Sequence, residues 1–179
     1  DDNDATFEFF VRSVEQDLGN EALVVEVARR YLQQKQYDKA LTLLRRAVQV
    51  ENPSAAVYSF LGLTLAQLGR PDEAVAVYRE SLRRMPGQFP TRLVLAQLLV
   101  EQKRAGEALQ VLVELEGLGS ADPRFWVDLA ELYVQLGQIA PDVRAEAREH
   151  AKTAVAAAES RNPQDPAVLQ RLADRQSDL

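Results

Sequence analysis

Apolar residues along this chain fall at intervals of three and four, the spacing that lines one face of a helix. Val27, Ala28 and Tyr31 set the pattern, and Leu61, Gly62 and Leu65 repeat it. It returns as Leu95, Ala96, Leu99 and again as Leu129, Ala130, Tyr133, each set 34 residues after the last. No alternation of period two is long enough to predict a strand. Ala40, Ala74 and Ala108 keep the same step, followed four residues on by Leu44, Tyr78 and Leu112. Each period thus predicts two helices, joined by turns that read QKQYDKA, LGRPDEA and QKRAGEA. Every glycine except Gly62 is assigned to a turn or a helix end. Asp122–Pro123 and Asp165–Pro166 read as N-caps with proline in the first turn.

Gly62 needs a reason, because a glycine inside a helix costs about 1 kcal/mol relative to alanine. The slots in register with it hold Ala28, Ala96 and Ala130, with a large residue three positions later in each case. A small residue beside a large one makes a notch beside a knob and lets two helices approach closely. Ala28, Gly62, Ala96 and Ala130, together with Ala40, Ala74 and Ala108, are therefore assigned to packing between helices. A bulky residue at position 62 is predicted to overpack that contact.

The unit resembles the tetratricopeptide repeat, a helix–turn–helix of 34 residues. Tyr58, Leu61, Gly62, Leu65, Gly69, Ala74, Tyr78, Ser81 and Pro86 occupy that family's signature slots in the second unit. The resemblance implies an all-α fold, a right-handed superhelical solenoid with repeats at 20–53, 54–87, 88–121 and 122–163. Residues 1–19 then form an N-terminal helix, and 164–179 a capping helix or the start of a further repeat. Thr6, Phe10 and Ser13 stand one period before Ala40, Leu44 and Ala47, so the N-terminal helix reads as a second helix without its first. The fourth repeat departs from register. Trp126, Leu129, Ala130 and Tyr133 are in place, but Ala151, Val155, Ala158 and Pro163 arrive 9 residues late. That surplus predicts an extended turn or a lengthened second helix. The composition, rich in arginine and alanine, looks bacterial.

Charge and composition narrow the function. The chain has 179 residues and a net charge of −6, against the basic stripe that nucleic-acid binding needs. No apolar run approaches the roughly 20 residues of a membrane-spanning helix, so no direct membrane insertion is predicted. The absence of cysteine removes disulfides, thiolate catalysis and cysteine-ligated metals. It fits cytoplasm and periplasm equally. The opening DDNDATFEFF carries no signal peptide and reads as a processed product or a piece of something longer. The single histidine, His150, lies beside Glu146 and Glu149 and reads as a solvated surface residue. No phosphate-binding glycine loop and no nucleophile motif occurs. Glu26–Arg30 and Glu80–Arg84 have the spacing of weak helix-surface pairs, each worth about 0.2–0.5 kcal/mol. The prediction is a protein without catalysis, metal or cofactor.

The resemblance implies a concave face lined by the first helix of each repeat, and solenoids use such faces for binding. Four rows in register would point there. They are Val25, Ser59, Leu93, Val127; Glu26, Phe60, Val94, Asp128; Arg29, Leu63, Gln97, Glu131; and Leu32, Ala66, Val100, Val134. Phe60, Leu63, Leu93, Val94 and Val127 would make an apolar strip, with Glu26 and Arg29 toward one end and Asp128 and Glu131 toward the other. The expected function is a protein-interaction scaffold that holds an apolar or amphipathic peptide or helix. Its partner-binding residues would be Val25, Arg29, Ser59, Phe60, Leu63, Leu93, Val94, Gln97, Val127, Asp128 and Glu131. The basic clamp of acidic-tail-binding relatives is not matched: of Val25, Arg29, Phe60, Pro90 and Val94, only Arg29 binds a carboxylate. The alternatives are self-association through Phe7, Phe9 and Phe10 or an unfinished terminal repeat, and an accessory domain of a larger enzyme or secretion or assembly machine.

Overall fold

A computed structural model describes residues 2–178 of the chain; residues 1 and 179, the outer limits of the predicted terminal segments, lie outside it. The described residues form helices and no strand. In order they are α1 (Asp2–Gln16), α2 (Glu21–Gln33), α3 (Tyr37–Ala47), α4 (Ala55–Gln67) and α5 (Pro71–Arg84). Then follow α6 (Phe89–Glu101), α7 (Ala105–Leu118), α8 (Pro123–Ile139), α9 (Arg144–Glu159) and α10 (Pro166–Asp178). A short 3-10 turn, Pro141–Val143, joins α8 to α9. The chain divides into two compact units, residues 1–91 and 92–179.

In the first unit, α2 pairs with α3 and α4 with α5, while α4 also packs on α2 and α3. Helix α1 packs on α2 as α3 packs on α4. Asn20 caps α2, its side chain accepting from the Leu23 amide at 3.2 Å. The two tight turns are closed alike. Gln36 and Arg70 donate their amides to the carbonyls of Tyr31 and Leu65, and Lys35 and Gly69 take left-handed backbone angles, φ 57° and 69°. These bonds satisfy the helix-end carbonyls. Only one of the two residues is glycine, so Lys35 carries a conformation that costs roughly 1–2 kcal/mol for a residue with a Cβ.

The notch at Gly62 is deeper than the sequence pattern implies. A methyl group there would lie 2.4 Å from Cζ and 2.6 Å from Cε1 of Tyr78, closer than side chains approach each other. Tyr78 is 2% exposed, and its hydroxyl is directed to the Ser59 carbonyl at 3.4 Å. The ring therefore lies flat against the backbone of α4, and even alanine does not fit. In the flanking repeats, the small slot holds alanine and the slot of Tyr78 holds Leu44 or Leu112. Notch and knob sizes are matched pair by pair.

The second unit contains the lengthened repeat. By the register of the earlier units, α8 runs one turn further than α2, α4 or α6, and α9 starts one turn sooner. One extra residue in the connection completes the surplus, so both helices are extended and the turn barely is. Gly137 stands in the slot of Gly69 but is helical, in the last turn of α8, and does not take the left-handed angle of Gly69. Leu136, Ala140, Val143 and Ala147 are buried along this extension and carry it past the glycine. Arg144 secures it by donating from Nε to the Gly137 carbonyl at 2.9 Å. Asp122 caps α8 at the Arg124 amide, and Asp165 caps α10 at the Ala167 amide, both at 2.9 Å. Helix α10 packs on α8 and α9, the arrangement α4 has with α2 and α3. Val168 and Leu172 of α10 are buried.

Candidate protein-binding surface

The outward faces of the first helices hold the predicted residues, but not equally. In the first unit, Leu63 is 43% exposed on α4, with Phe60 and Ser59 half-buried one turn before it. Val25 is half-buried on α2, and Arg29 is exposed. Arg29 pairs with Glu26 at 3.0 Å, and the Arg30 guanidinium lies over the Phe7 ring at 4.8 Å. Glu80 pairs with Arg84 as its spacing predicts, and also with Arg83. The two guanidinium groups lower the Glu80 carboxyl to about 2.

In the second unit, Val94 is 44% exposed on α6, Gln97 is exposed and Leu93 half-buried. Val127 corrects the expectation. It is fully buried, so it belongs to the packing of α8 and not to an open face. Val134 of the fourth row is buried too. Asp128 and Glu131 are half-buried, and Arg171 of α10 takes both: its Nη2 lies 2.5 Å from Asp128 and its Nε donates to Glu131 at 3.0 Å. Those two hydrogen bonds hold the Arg171 guanidinium firmly protonated. The acidic pair is thus already matched within the unit.

His150 is a second correction. It is not a freely solvated histidine: its ring stacks on Tyr133 with centroids 5.1 Å apart, and Nδ1 lies 2.8 Å from Oε2 of Glu116. The Tyr133 hydroxyl donates to the same oxygen at 2.8 Å. Burial, then this hydrogen bond, raises the Tyr133 phenol well above its ordinary range. A second polar set lies around the Ser120 carbonyl, which accepts from Trp126 Nε1 at 2.8 Å and from Arg161 Nε at 2.7 Å. The Arg161 guanidinium also covers the Trp126 ring at 4.6 Å. Neither set is read from helical spacing, since each joins residues of different segments: α7, α8 and α9 in the first, and the α7–α8 connection, α8 and Arg161 in the second.

Chemically, these faces can bind and pair. Among the described residues no three histidine, cysteine or acidic side chains gather as metal ligands. None of the described helices is long and apolar enough to cross a membrane.

Two sequence profiles described as tetratricopeptide repeat match the chain, over residues 27–89 and 65–126. No curated protein matches it by sequence. Solved structures share its fold at low identity. PilF of Pseudomonas aeruginosa is 21% identical with a TM-score of 0.58, over 96% of this chain and 72% of its own. TTC0263 of Thermus thermophilus, a thermophilic TPR protein, is 20% identical with a TM-score of 0.58, over 97% of this chain and 90% of its own. YrrB, a TPR protein with an unusual peptide-binding site, is 16% identical with a TM-score of 0.54, over 93% of this chain and 81% of its own.

Proposed function

The chain belongs to the tetratricopeptide repeat family, whose repeats make protein-interaction scaffolds, and we propose that it holds an apolar or amphipathic partner segment on the first-helix faces. The observation that carries this reading is the outward apolar face of α4, where Leu63 is 43% exposed beside Phe60. Helix α4 buries Val57, Tyr58, Leu61 and Leu65 on its other side and leaves Leu63 outside that stripe. Exposed apolar side chains in register with the binding rows favour an apolar anchor from a partner. The Arg29–Glu26 pair on α2 offers polar contacts beside it. On α6, Val94 and Leu93 present the same chemistry.

The test is affinity capture from the native organism with the unaltered chain, with Leu63→Asp and with Ala76→Asp, a control at an exposed position of α5. Leu63→Asp should lower recovery of the partner at least about tenfold, as loss of an apolar anchor does. Helicity and melting should stay unchanged in both variants. Equal recovery with Leu63→Asp overturns the reading. Self-association is the second reading, favoured by Phe9, which is 66% exposed on α1. Light scattering across a wide concentration range decides it, and a strict monomer rules it out.

A further inference from the structure

A cleft between α1 and α3, floored by α2, differs in charge from the equivalent place one repeat later. Its volume is about 480 Å³, within the range of small-ligand pockets. Val14, Val27, Tyr31 and Leu43, all buried, form an apolar floor. On the rim stand Lys39, Thr42 and Arg46, which share one face of α3 by their spacing of three and four. Stepping by 34 carries Lys39 to Glu73 and Glu107, and Arg46 to Glu80 and Glu114. Both positions are acidic in the second and third repeats and basic in the first.

In the second repeat the acids are matched within the protein. Arg45 of α3 reaches across to Glu73 of α5 at 3.1 Å, Arg70 joins it at 2.5 Å, and Glu80 takes Arg83 and Arg84. One period earlier the slots of Arg45 and Arg70 hold Val11 and Gln36, so the bridging pair has no counterpart. The Lys39 ammonium lies 5.7 Å from the Tyr31 ring centre. Among the described residues, the Arg46 guanidinium makes no hydrogen bond or ion pair. Two cations thus border an apolar floor without a carboxylate bound to either.

We propose that this cleft binds a single carboxylate carried on a short apolar group. The apolar part lies on Val14, Val27 and Leu43, and the carboxylate sits between Lys39 and Arg46. Glu15 and Asp38 border the same cleft and oppose any larger negative charge, which selects a monoanion over a phosphate or a polyanion. Two sources carry this chemistry: the C-terminal residue of a peptide and a free fatty acid. The site is separate from the α4 face and uses none of its residues.

Amide-resolved NMR titration of the full chain tests it, with N-acetyl-leucine standing for a peptide terminus and octanoate for a fatty acid. Each is compared with its neutral amide. Ligands this small are expected to bind with a Kd on the order of 1 mM. The carboxylate should move the amides of Val14, Tyr31, Thr42 and Leu43, and its neutral amide should bind at least about tenfold more weakly, as loss of a charge-assisted contact predicts. Binding by either acid supports the site and assigns its source. Lys39→Glu with Arg46→Glu, which installs the charges of the later repeats, should abolish binding with melting unchanged. Arg46→Gln alone should weaken it, and Glu15→Gln should tighten it. Neutral amides that bind as well as the acids, charge-reversed protein that binds like the unaltered chain, or no response to either acid each overturns the proposal.

Discussion

The two units solve the same problem, holding paired helices together, by different means. In the first, the contact between α4 and α5 is one of shape. Tyr78 covers the bare backbone at Gly62, and no atom can be added between them. In the second, the fourth repeat lengthens both its helices and secures them with polar ties. Glu116 accepts from Tyr133 and meets His150, Arg144 reaches the Gly137 carbonyl, and Arg171 joins α10 to Asp128 and Glu131 on α8. A shape contact is all-or-none, because a close-packed interior has no slack. A set of partly exposed ion pairs loses one member at little cost.

The largest effects should fall on the shape contact. Gly62→Leu is expected to cost about 3 kcal/mol or more, and Gly62→Ala about 1–3 kcal/mol despite alanine's better helix propensity. Denaturant melts measure both. Adding Tyr78→Leu, the residue type of the flanking repeats, should restore part of the loss in Gly62→Ala. A double variant no more stable than Gly62→Ala would break the matched-size account.

Alkaline pH gives the next effect. Burial raises the Tyr78 phenol from 10.0 to about 12, so the native state holds that proton more tightly than the unfolded chain. The stability it contributes is complete below pH 10 and is lost as pH rises through 12, by up to about 2–3 kcal/mol. Tyr78→Phe should flatten stability across that window. Tyr133→Phe should flatten it too, by removing the raised phenol of the second unit. A stability curve indifferent to both substitutions would contradict the burial of these rings.

Polar ties should give less. Arg171→Gln is expected to cost about 0.5–1 kcal/mol, since the guanidinium is partly exposed. Hydrogen exchange should then quicken in α10 and stay unchanged in α2 to α5. Smallest of all, Glu80→Gln should leave the melting temperature within error, although two arginines hold its carboxyl low, because the pair is solvated.

The sequence made much of this legible for one reason: a 34-residue register repeats the same packing problem, so the same slots recur. Leu63 and Val94 were readable as exposed because the helical period places them off the buried stripe. Val127 was not, although it follows the same period as Val25 and Ser59: it is fully buried in a helix on which α7, α9 and α10 all pack. His150 misled because the residues that hold it, Glu116 and Tyr133, come from α7 and α8 and not from its own stretch of sequence. The cleft beside α3 was present in the register as a reversal of charge at Lys39 and Arg46, visible only once the later repeats showed what those slots normally hold.

By itself the sequence determined the helices, their pairing and the slots that must stay small, since periodicity and side-chain volume are local properties that survive translation by one repeat. The tertiary structure decided how far each helix runs and which outward residue stays open. Gly137 shows the division most plainly. It sits where the register calls for a turn, yet burial of Leu136, Val143 and Ala147 favours helix there by more than a glycine disfavours it. Local preference is worth about 1 kcal/mol at such a position, and burial of several apolar side chains outweighs it.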